Sequence, residues 1–241
     1  MNIQIPFKNF YAAYLATKCK ANIGNIPGIL LDFSRAEDQR FYLIGSDAYL
    51  LYAKKFSLDF EHGKDVITED KKYISISLND LDQFFKLVFK KKIKPKKRIV
   101  NLSVSLSDAS PVNAIRLSID GFAHFDYILG NCPDNSKLIS WKNSTPFFFR
   151  EDHSKDESNI GSIGFSIKLL NKMKMVLRYL NYDAFRLYLG GHDREACLVK
   201  PAKSDDSELF LIMPFNVTID PNIRNGEFAE NFLKTSIINT L

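Results

Sequence analysis

Three stretches of the chain share one order of hydrophobic and polar positions. They are NIQIPFKNFYAAYLA (2–16), YISISLNDLDQFFKLV (73–88) and IGFSIKLLNKMKMVL (163–177). Each begins with a short alternating segment, which is typical of a half-buried strand. Each continues with apolar residues three and four positions apart, which is typical of an amphipathic helix. The pattern therefore predicts a strand followed directly by a helix at three places.

The second and third predicted helices have clear apolar stripes. In the second helix, Asn79 and Asp80 are candidate caps, and the stripe consists of Leu81, Phe84, Phe85 and Val88. In the third helix, the stripe consists of Leu169, Leu170, Met173, Val176, Leu177 and Leu180. The remaining face of the third helix is cationic, with Lys168, Lys172, Lys174 and Arg178.

Extended segments separated by turn residues follow each helix. After the first helix these are GILLDFS, RFYLIGSD and AYLLYAKKF; after the second, RIVNLSVSLSD, NAIRLSIDG and FAHFDYIL; after the third, AFRLYLGG, EACLVKPA and ELFLIMPF. Each repeat is therefore predicted to be a strand, a helix and about three antiparallel strands, on the order of 50–60 residues long. This predicts an α+β fold made of repeated units.

The remaining segments are predicted to be connectors. KKKIKPKKR (90–98) is more typical of a solvated loop than of a dedicated binding site. Residues 144–162 are predicted to be a polar linker, and residues 218–241 a C-terminal tail in which GEFAENFLKTSIINTL could form a short amphipathic helix.

Composition narrows the class of protein. The chain has 241 residues, 45% of them hydrophobic and 25% charged, with a formal net charge of +5. No apolar run approaches the roughly 20 residues that span a bilayer, and the N-terminus lacks the pattern of a secretory signal. Cys19, Cys132 and Cys197 are widely spaced, which indicates reduced thiols in a cytoplasmic protein.

No catalytic constellation is evident. The four histidines are scattered and lack metal-ligand spacing, and the Gly-rich stretch LGGHD matches no phosphate-binding loop. We therefore expect neither an enzyme nor a metal or cofactor site.

Three segments resemble parts of a bacterial sliding clamp, the beta subunit of DNA polymerase III. They are LIGSDAYLLYAKK (43–55), GFAHFDYIL (121–129) and IGFSIKLLNKM together with ELFLIMPFN. The resemblance implies the DNA-clamp fold, with sheets outside and helices on the concave side. It implies that residues 1–143 form a complete clamp domain, and that residues 163–217 form a half domain similar to the end of the last clamp domain.

In the clamp family, the corresponding segments form an apolar groove that binds short peptides of DNA polymerases and other replication proteins. Carried over by position, the groove residues are Ser46, Asp47, Ala48, Tyr49, Leu50, Leu51, Phe125, Leu129, Leu211, Met213, Pro214, Phe215 and Asn216. Ala48-Tyr49-Leu50 replaces the Gly-His-Arg of the family, and Phe125 stands where proline is usual. The groove is therefore expected to be more apolar, narrower or specific for a different peptide.

The resemblance also implies sequence-independent contact with double-stranded DNA through basic residues of the helices. The candidates are Lys8, Lys18, Lys20, Lys86, Lys90, Lys91, Lys92, Lys168, Lys172, Lys174 and Arg178. Lysine suits such a surface because it is a flexible, hydrated point charge. The alternative for each residue is an ordinary solvated helix face.

Two functions remain open at this level. The first is a sliding-clamp-like processivity or tethering factor that encircles or holds DNA. The family ring contains twelve such units, so three per chain would require four chains; a reduced fourth unit in residues 131–162, or an open form, would change this number. The second is a non-encircling interaction module that binds replication-protein peptides or a host clamp, with the tail in its own groove or packed as a terminal helix.

Overall fold

The computed structural model describes residues 2–18, 28–34, 36, 39–47, 49–58, 73–90, 98–105, 114–119, 127–129, 164–188, 196–204 and 207–214. The predicted linker (144–162) and tail (218–241) lie outside the described residues. The proposed division into a complete domain, a linker, a half domain and a tail therefore stays a prediction.

The first two units show the predicted order in full, and the third shows it from its helix onwards. The first unit consists of β1 (Asn2–Pro6), α1 (Phe7–Thr17), β2 (Gly28–Asp32), β3 (Arg40–Ser46) and β4 (Leu50–Ser57). The second consists of β5 (Tyr73–Ser77), α2 (Leu78–Lys90), β6 (Ile99–Ser105), β7 (Ala114–Ile119) and β8 (Tyr127–Leu129). The third consists of α3 (Ile167–Tyr179), β9 (Phe185–Tyr188), β10 (Cys197–Pro201) and β11 (Glu208–Ile212). The predicted α+β class is confirmed.

Helix α2 begins at Leu78, before its predicted caps. The Ser77 Oγ accepts the backbone N–H of Asp80 at 3.1 Å, and the Ser77 hydroxyl donates to Asp80 Oδ2 at 2.5 Å. Ser77 is therefore the N-cap, since its side-chain oxygen accepts the N–H of the third helical residue. The prediction that Asn79 and Asp80 cap this helix was wrong in position, because the alternating strand runs into the helix without a loop.

The strand that precedes each of the first two helices pairs with a strand of the other unit. β1 pairs with β6 in a four-stranded sheet of order β1-β6-β7-β8, while β5 pairs with β2 in a seven-stranded sheet of order β5-β2-β3-β4-β11-β10-β9. The first and second units therefore exchange strands, and neither sheet belongs to one unit alone.

The third unit continues the sheet of the first. β11 pairs with β4 in antiparallel register, with Leu211 opposite Leu51 and Ile212 opposite Leu50. The two strands are far apart in sequence: Tyr52 of β4 and Glu208 of β11 are 156 positions apart. Backbone hydrogen bonds join these strands directly. This pairing places the end of the third unit beside the β3–β4 turn of the first.

The helices cover one face of the sheets, with α1 in the middle. The ring of Tyr11 lies 4.9 Å from that of Phe85 on α2 and 4.6 Å from that of Tyr179 on α3, between ring centroids. Small residues at Ala12, Ala13 and Ala16 are fully buried where α1 meets the sheet. The helix-facing core is therefore organised around α1.

The predicted apolar stripe of α2 is confirmed, since Leu81, Phe84, Phe85 and Val88 are all buried. In α3, Met173, Val176 and Leu177 are buried, but Leu170 is 37% exposed. Leu170 was placed in this stripe by spacing alone, and the described neighbours of α3 do not reach its side of the helix. None of the described helices is long and apolar enough to cross a membrane.

A buried polar network lies where β11 meets β4 and α1. Glu208 of β11, whose side chain is 4% exposed, accepts hydrogen bonds from Tyr182 (2.5 Å), Asn9 (3.1 Å) and Tyr52 (3.4 Å), and Lys54 lies 3.4 Å away. The amide of Asn9 also donates to the Tyr52 hydroxyl at 2.8 Å. One carboxylate thus connects α1, β4, β11 and the segment that follows α3.

We expect Gly45→Ala to destabilise the fold. A Cβ at Gly45 would lie 2.1 Å from the backbone carbonyl oxygen of Ala13, so α1 would have to move away from β3. Urea unfolding should show a loss of about 1–3 kcal/mol. Ser57→Ala, at an exposed strand position, is the matched control; equal stability of the two variants would contradict the close packing of α1 on β3.

We expect stability to fall at alkaline pH through buried tyrosines. Burial, and next the negative charge of Glu208, raise the pKa of Tyr52 well above 10.0; burial also raises the pKa of Tyr14 and of Tyr179. The folded-state pKa values of these tyrosines exceed the unfolded value. The contribution of the neutral phenols to the free energy of unfolding is therefore complete below about pH 10 and is lost as the pH rises towards the folded pKa.

Urea unfolding between about pH 8 and pH 11 measures this dependence. Tyr52→Phe should reduce the downward slope above pH 10 by up to about 1.4 kcal/mol per pH unit, because one fewer phenol ionises on unfolding. An unchanged slope would show that Tyr52 is not held neutral by its surroundings.

Candidate functional site

The β3–β4 turn forms one side of the candidate groove. The Asp47 N–H donates to the carbonyl of Leu50 at 3.2 Å. The Asp47 Oδ1 accepts the N–H groups of Tyr49 and Leu50 at 3.0 and 2.8 Å. Such side-chain-to-backbone bonds are the usual reason for Asp in tight turns. The turn is therefore held by its own carboxylate.

The end of β11 forms the other side. The Met213 N–H donates to the carbonyl of Tyr49 at 2.8 Å, which extends the β4–β11 ladder by one bond. Pro214 follows, and it has no N–H with which to continue the ladder. The structure therefore brings residues 46–47 and 49–51 beside residues 211–214, and the sequence analysis proposed both segments as parts of one groove.

The groove side chains differ in exposure. Tyr49 is 39% exposed, and Met213 and Pro214 are partly exposed, while Leu51 and Leu211 are 8% and 3% exposed. The exposed members are an aromatic ring, a flexible thioether and a rigid ring, and methionine adapts to partners of different shape. The surface at this rim is thus apolar, over a buried aliphatic base.

That base extends beyond the predicted residues. The face of the seven-stranded sheet opposite the helices carries a buried cluster, here called the outer cluster: Leu30, Ile44, Leu51, Ala53 and Leu211. Partly buried neighbours pack against it: Tyr42, Tyr73, Ala196, Leu198 and Leu209. Leu30 and Ile44 were missed by the sequence prediction. The runs GILL and FYLI carried the signal, because strands that are apolar at consecutive positions are buried on both faces.

The other predicted groove residues are not brought to this rim by any described contact. Leu129 lies in β8 of the four-stranded sheet, where it pairs with Ile115. Ala48, Phe125, Phe215 and Asn216 lie outside the described residues. Ser46 is present at the rim but only 5% exposed, so its side chain contributes little surface.

Five predicted basic residues are exposed on the two outer helices: Lys86, Lys90, Lys168, Lys174 and Arg178. They lie opposite the buried stripes, and the exposed positions of α2 and α3 include no Asp or Glu. The fully exposed charges of α2 and α3 are therefore all positive, while Asp80 and Asp82 of α2 are half-buried.

Helix α1 contributes cations only at its ends, because its middle is buried between α2 and α3. Lys8 is exposed in the first turn, and Lys18 is exposed just after the helix. The Lys18 Nζ lies 5.3 Å from the centroid of the Tyr14 ring and donates to its hydroxyl at 3.1 Å. Lys20, Lys91 and Lys92 lie outside the described residues.

Lys172 does not belong to the exposed cationic face, which corrects the sequence prediction. Its side chain is 11% exposed; its Nζ lies 2.5 Å from Asp47 Oδ2 and donates to the carbonyl of Ala16 at 2.7 Å. Spacing suggested a solvated lysine, but α1 packs on this side of α3. A predicted DNA contact thus binds the turn of the candidate groove instead.

Within the described ranges, no three His, Cys, Asp or Glu residues are grouped in a way that could hold a metal ion. The one cysteine described, Cys197, is buried.

No protein-family model matches the sequence. No curated protein matches it significantly.

Solved structures do match. The chain is similar to the DNA polymerase III subunit beta of Pseudomonas aeruginosa, with 12% identity and a TM-score of 0.50 over 90% of this chain and 67% of the other. It is similar to the beta subunit of Thermotoga maritima, with 11% identity and a TM-score of 0.50 over 90% of this chain and 66% of the other.

A third match is the sliding clamp of Bartonella birtlesii bound to griselimycin, with 14% identity, a TM-score of 0.51 and coverage of 90% and 66%. The chain thus spans about two thirds of the length of these neighbours. Identities this low establish the fold alone. The repeated units, the exchanged strands and these matches agree: the chain has the fold of the bacterial sliding clamps, in a divergent form.

Proposed function

We propose that this chain is a sliding-clamp-like processivity or tethering factor, which holds duplex DNA against its helices and binds peptides of DNA polymerase or other replication proteins. The observation that carries the proposal is the β4–β11 pairing. It joins Leu51 and Leu211, and it bonds Met213 to Tyr49, at one apolar rim.

The rim supports peptide binding through its chemistry. A few apolar anchors in a pocket supply most of the affinity for a short peptide, and Tyr49, Met213 and Pro214 are the partly exposed apolar residues at this rim. One neighbour of the same fold binds griselimycin, which makes griselimycin a practical probe for this chain.

The helical face supports contact with double-stranded DNA of any sequence. Phosphate contacts by Lys and Arg are sequence-independent and depend on salt. The five exposed cations of α2 and α3, together with Lys8 and Lys18 at the ends of α1, lie on the helix layer. We assign no catalysis, cofactor or metal to this role, and we place it in the cytoplasm.

How the chain surrounds DNA is a separate part of the proposal. A homo-oligomeric ring is the form that the fold suggests. The alternative is a non-encircling module that binds replication-protein peptides or a host clamp. A ring predicts an oligomer by mass in solution and retention on nicked circular but not linear DNA; a monomer without such retention would support the module.

We expect the double variant Leu51→Ala with Met213→Ala to bind griselimycin at least about tenfold more weakly, because one apolar residue of the rim and one of its buried base are truncated. Titration calorimetry measures the affinity, and retention on circular DNA should not change. Met175→Ala, at a 56% exposed position of α3, is the matched control. Unchanged affinity in the double variant would reject the groove assignment.

We expect Lys86→Gln, Lys90→Gln, Lys168→Gln, Lys174→Gln and Arg178→Gln to weaken retention on DNA. Each lost phosphate contact should reduce the slope of log affinity against log salt by about 1. Lys200→Gln is the control, because this exposed lysine is on the same strand face as Leu198 of the outer-cluster surface, away from the helices. Equal loss in the control and helix variants would contradict a helical DNA face.

A further inference from the structure

One lysine of α3 is oriented differently from its neighbours in sequence. Lys172 and Lys174 are two residues apart, so their side chains leave the helix about 200° apart around its axis. Lys174 is exposed, while the side chain of Lys172 is 11% exposed. The two residues therefore act on different surfaces of the protein.

The Lys172 ammonium contacts two segments of the first unit. It donates to the carbonyl of Ala16 in the last turn of α1 at 2.7 Å and lies 2.5 Å from Asp47 Oδ2. Helix carbonyls near a C-terminus favour a cation, and α1 has no basic residue in its last turn. Lys172 thus supplies from α3 a largely buried positive charge at the end of α1, where Lys18 is exposed.

The Asp47 carboxylate is divided between two tasks. Oδ2 faces Lys172, while Oδ1 accepts the N–H groups of Tyr49 and Leu50. The Asp47 side chain is 5% exposed, and a buried carboxylate is strongly disfavoured once its cation is removed. Without Lys172, the carboxylate would turn towards water and release both N–H groups.

The same turn carries the bond to β11. The carbonyl of Tyr49 accepts the N–H of Met213 at 2.8 Å. If the turn loses its hydrogen bonds to Asp47, this carbonyl is no longer held in place for Met213. A continuous path of hydrogen bonds therefore runs from Lys172 through Asp47 and Tyr49 to Met213.

We propose that Lys172 is a positioning residue of the peptide groove, which acts through Asp47 and makes no contact with DNA. The expected effect of Lys172 on peptide affinity rests on the proposed function. The expected effect of Lys172 on the turn depends only on the hydrogen bonds described above.

The test compares four variants: Lys172→Met, Asp47→Asn, the double variant of these two, and Lys174→Met as the matched control on the same helix. Methionine keeps much of the lysine stem without its charge, and asparagine keeps an oxygen that can accept the turn N–H groups. Hydrogen–deuterium exchange of segments containing Tyr49, Leu50 and Met213 is measured first, followed by griselimycin affinity and retention on nicked circular DNA.

We expect Lys172→Met to exchange at least about tenfold faster in these segments than the wild type, while β2 and β3 exchange at the wild-type rate. Griselimycin affinity should fall about tenfold and DNA retention should stay unchanged. Lys174→Met should show the reverse, with weaker DNA retention and unchanged exchange at the turn. In the Asp47→Asn background, Lys172→Met should have little further effect, because its target charge is gone.

Three results would overturn the inference: unchanged exchange at the turn in Lys172→Met, faster exchange throughout the sheet, or the same effect of Lys172→Met in both Asp47 backgrounds. Failure of the wild type to bind griselimycin would count against the proposed peptide function instead. The exchange measurements would then still decide whether Lys172 positions the turn.

Discussion

The antiparallel pairing of β4 with β11 is the contact on which the candidate site depends. Leu51 and Leu211 become neighbours only through this ladder, since the two strands belong to different units. Backbone hydrogen bonds set the register, and the Glu208 network reinforces it by joining α1, β4 and β11. In a strand, a shift of one residue would move every side chain to the opposite face, so this register also decides which residues belong to the outer cluster.

Close packing of α1 is the second constraint. Three buried alanines and Gly45 allow this helix to lie against β3, while Tyr11 contacts both α2 and α3. A helix enclosed in this way has little solvated surface, so the exposed positive charge shifts to α2 and α3. The geometry that stabilises the core therefore also decides where DNA could be contacted.

Lysines of one helix illustrate how the same residue type takes different roles. Lys168 and Lys174 are solvated, whereas Lys172 binds Asp47 and the end of α1. One side of α3 faces solvent, and its flank packs against α1. The lysines of α3 therefore lie in two different environments. Charge spacing along the sequence describes only the first of these environments.

Local patterns were sufficient to predict the elements of this protein. The alternating and three-to-four spacings of each unit, with the turn residues between them, depend on neighbours in sequence, and the described helices and strands follow them. The apolar stripe at Leu81, Phe84, Phe85 and Val88 was predictable for the same reason. The two segments of the groove were proposed from resemblance, and their contact could not be derived from local spacing.

Tertiary structure alone decided the strand exchange between units, the burial of Lys172, the exposure of Leu170 and the inclusion of Leu30 and Ile44 in the outer cluster. Each of these depends on which distant element packs against a residue. Periodicity in sequence specifies that a face is apolar or charged, but the partner of that face is set by the packing of the whole chain.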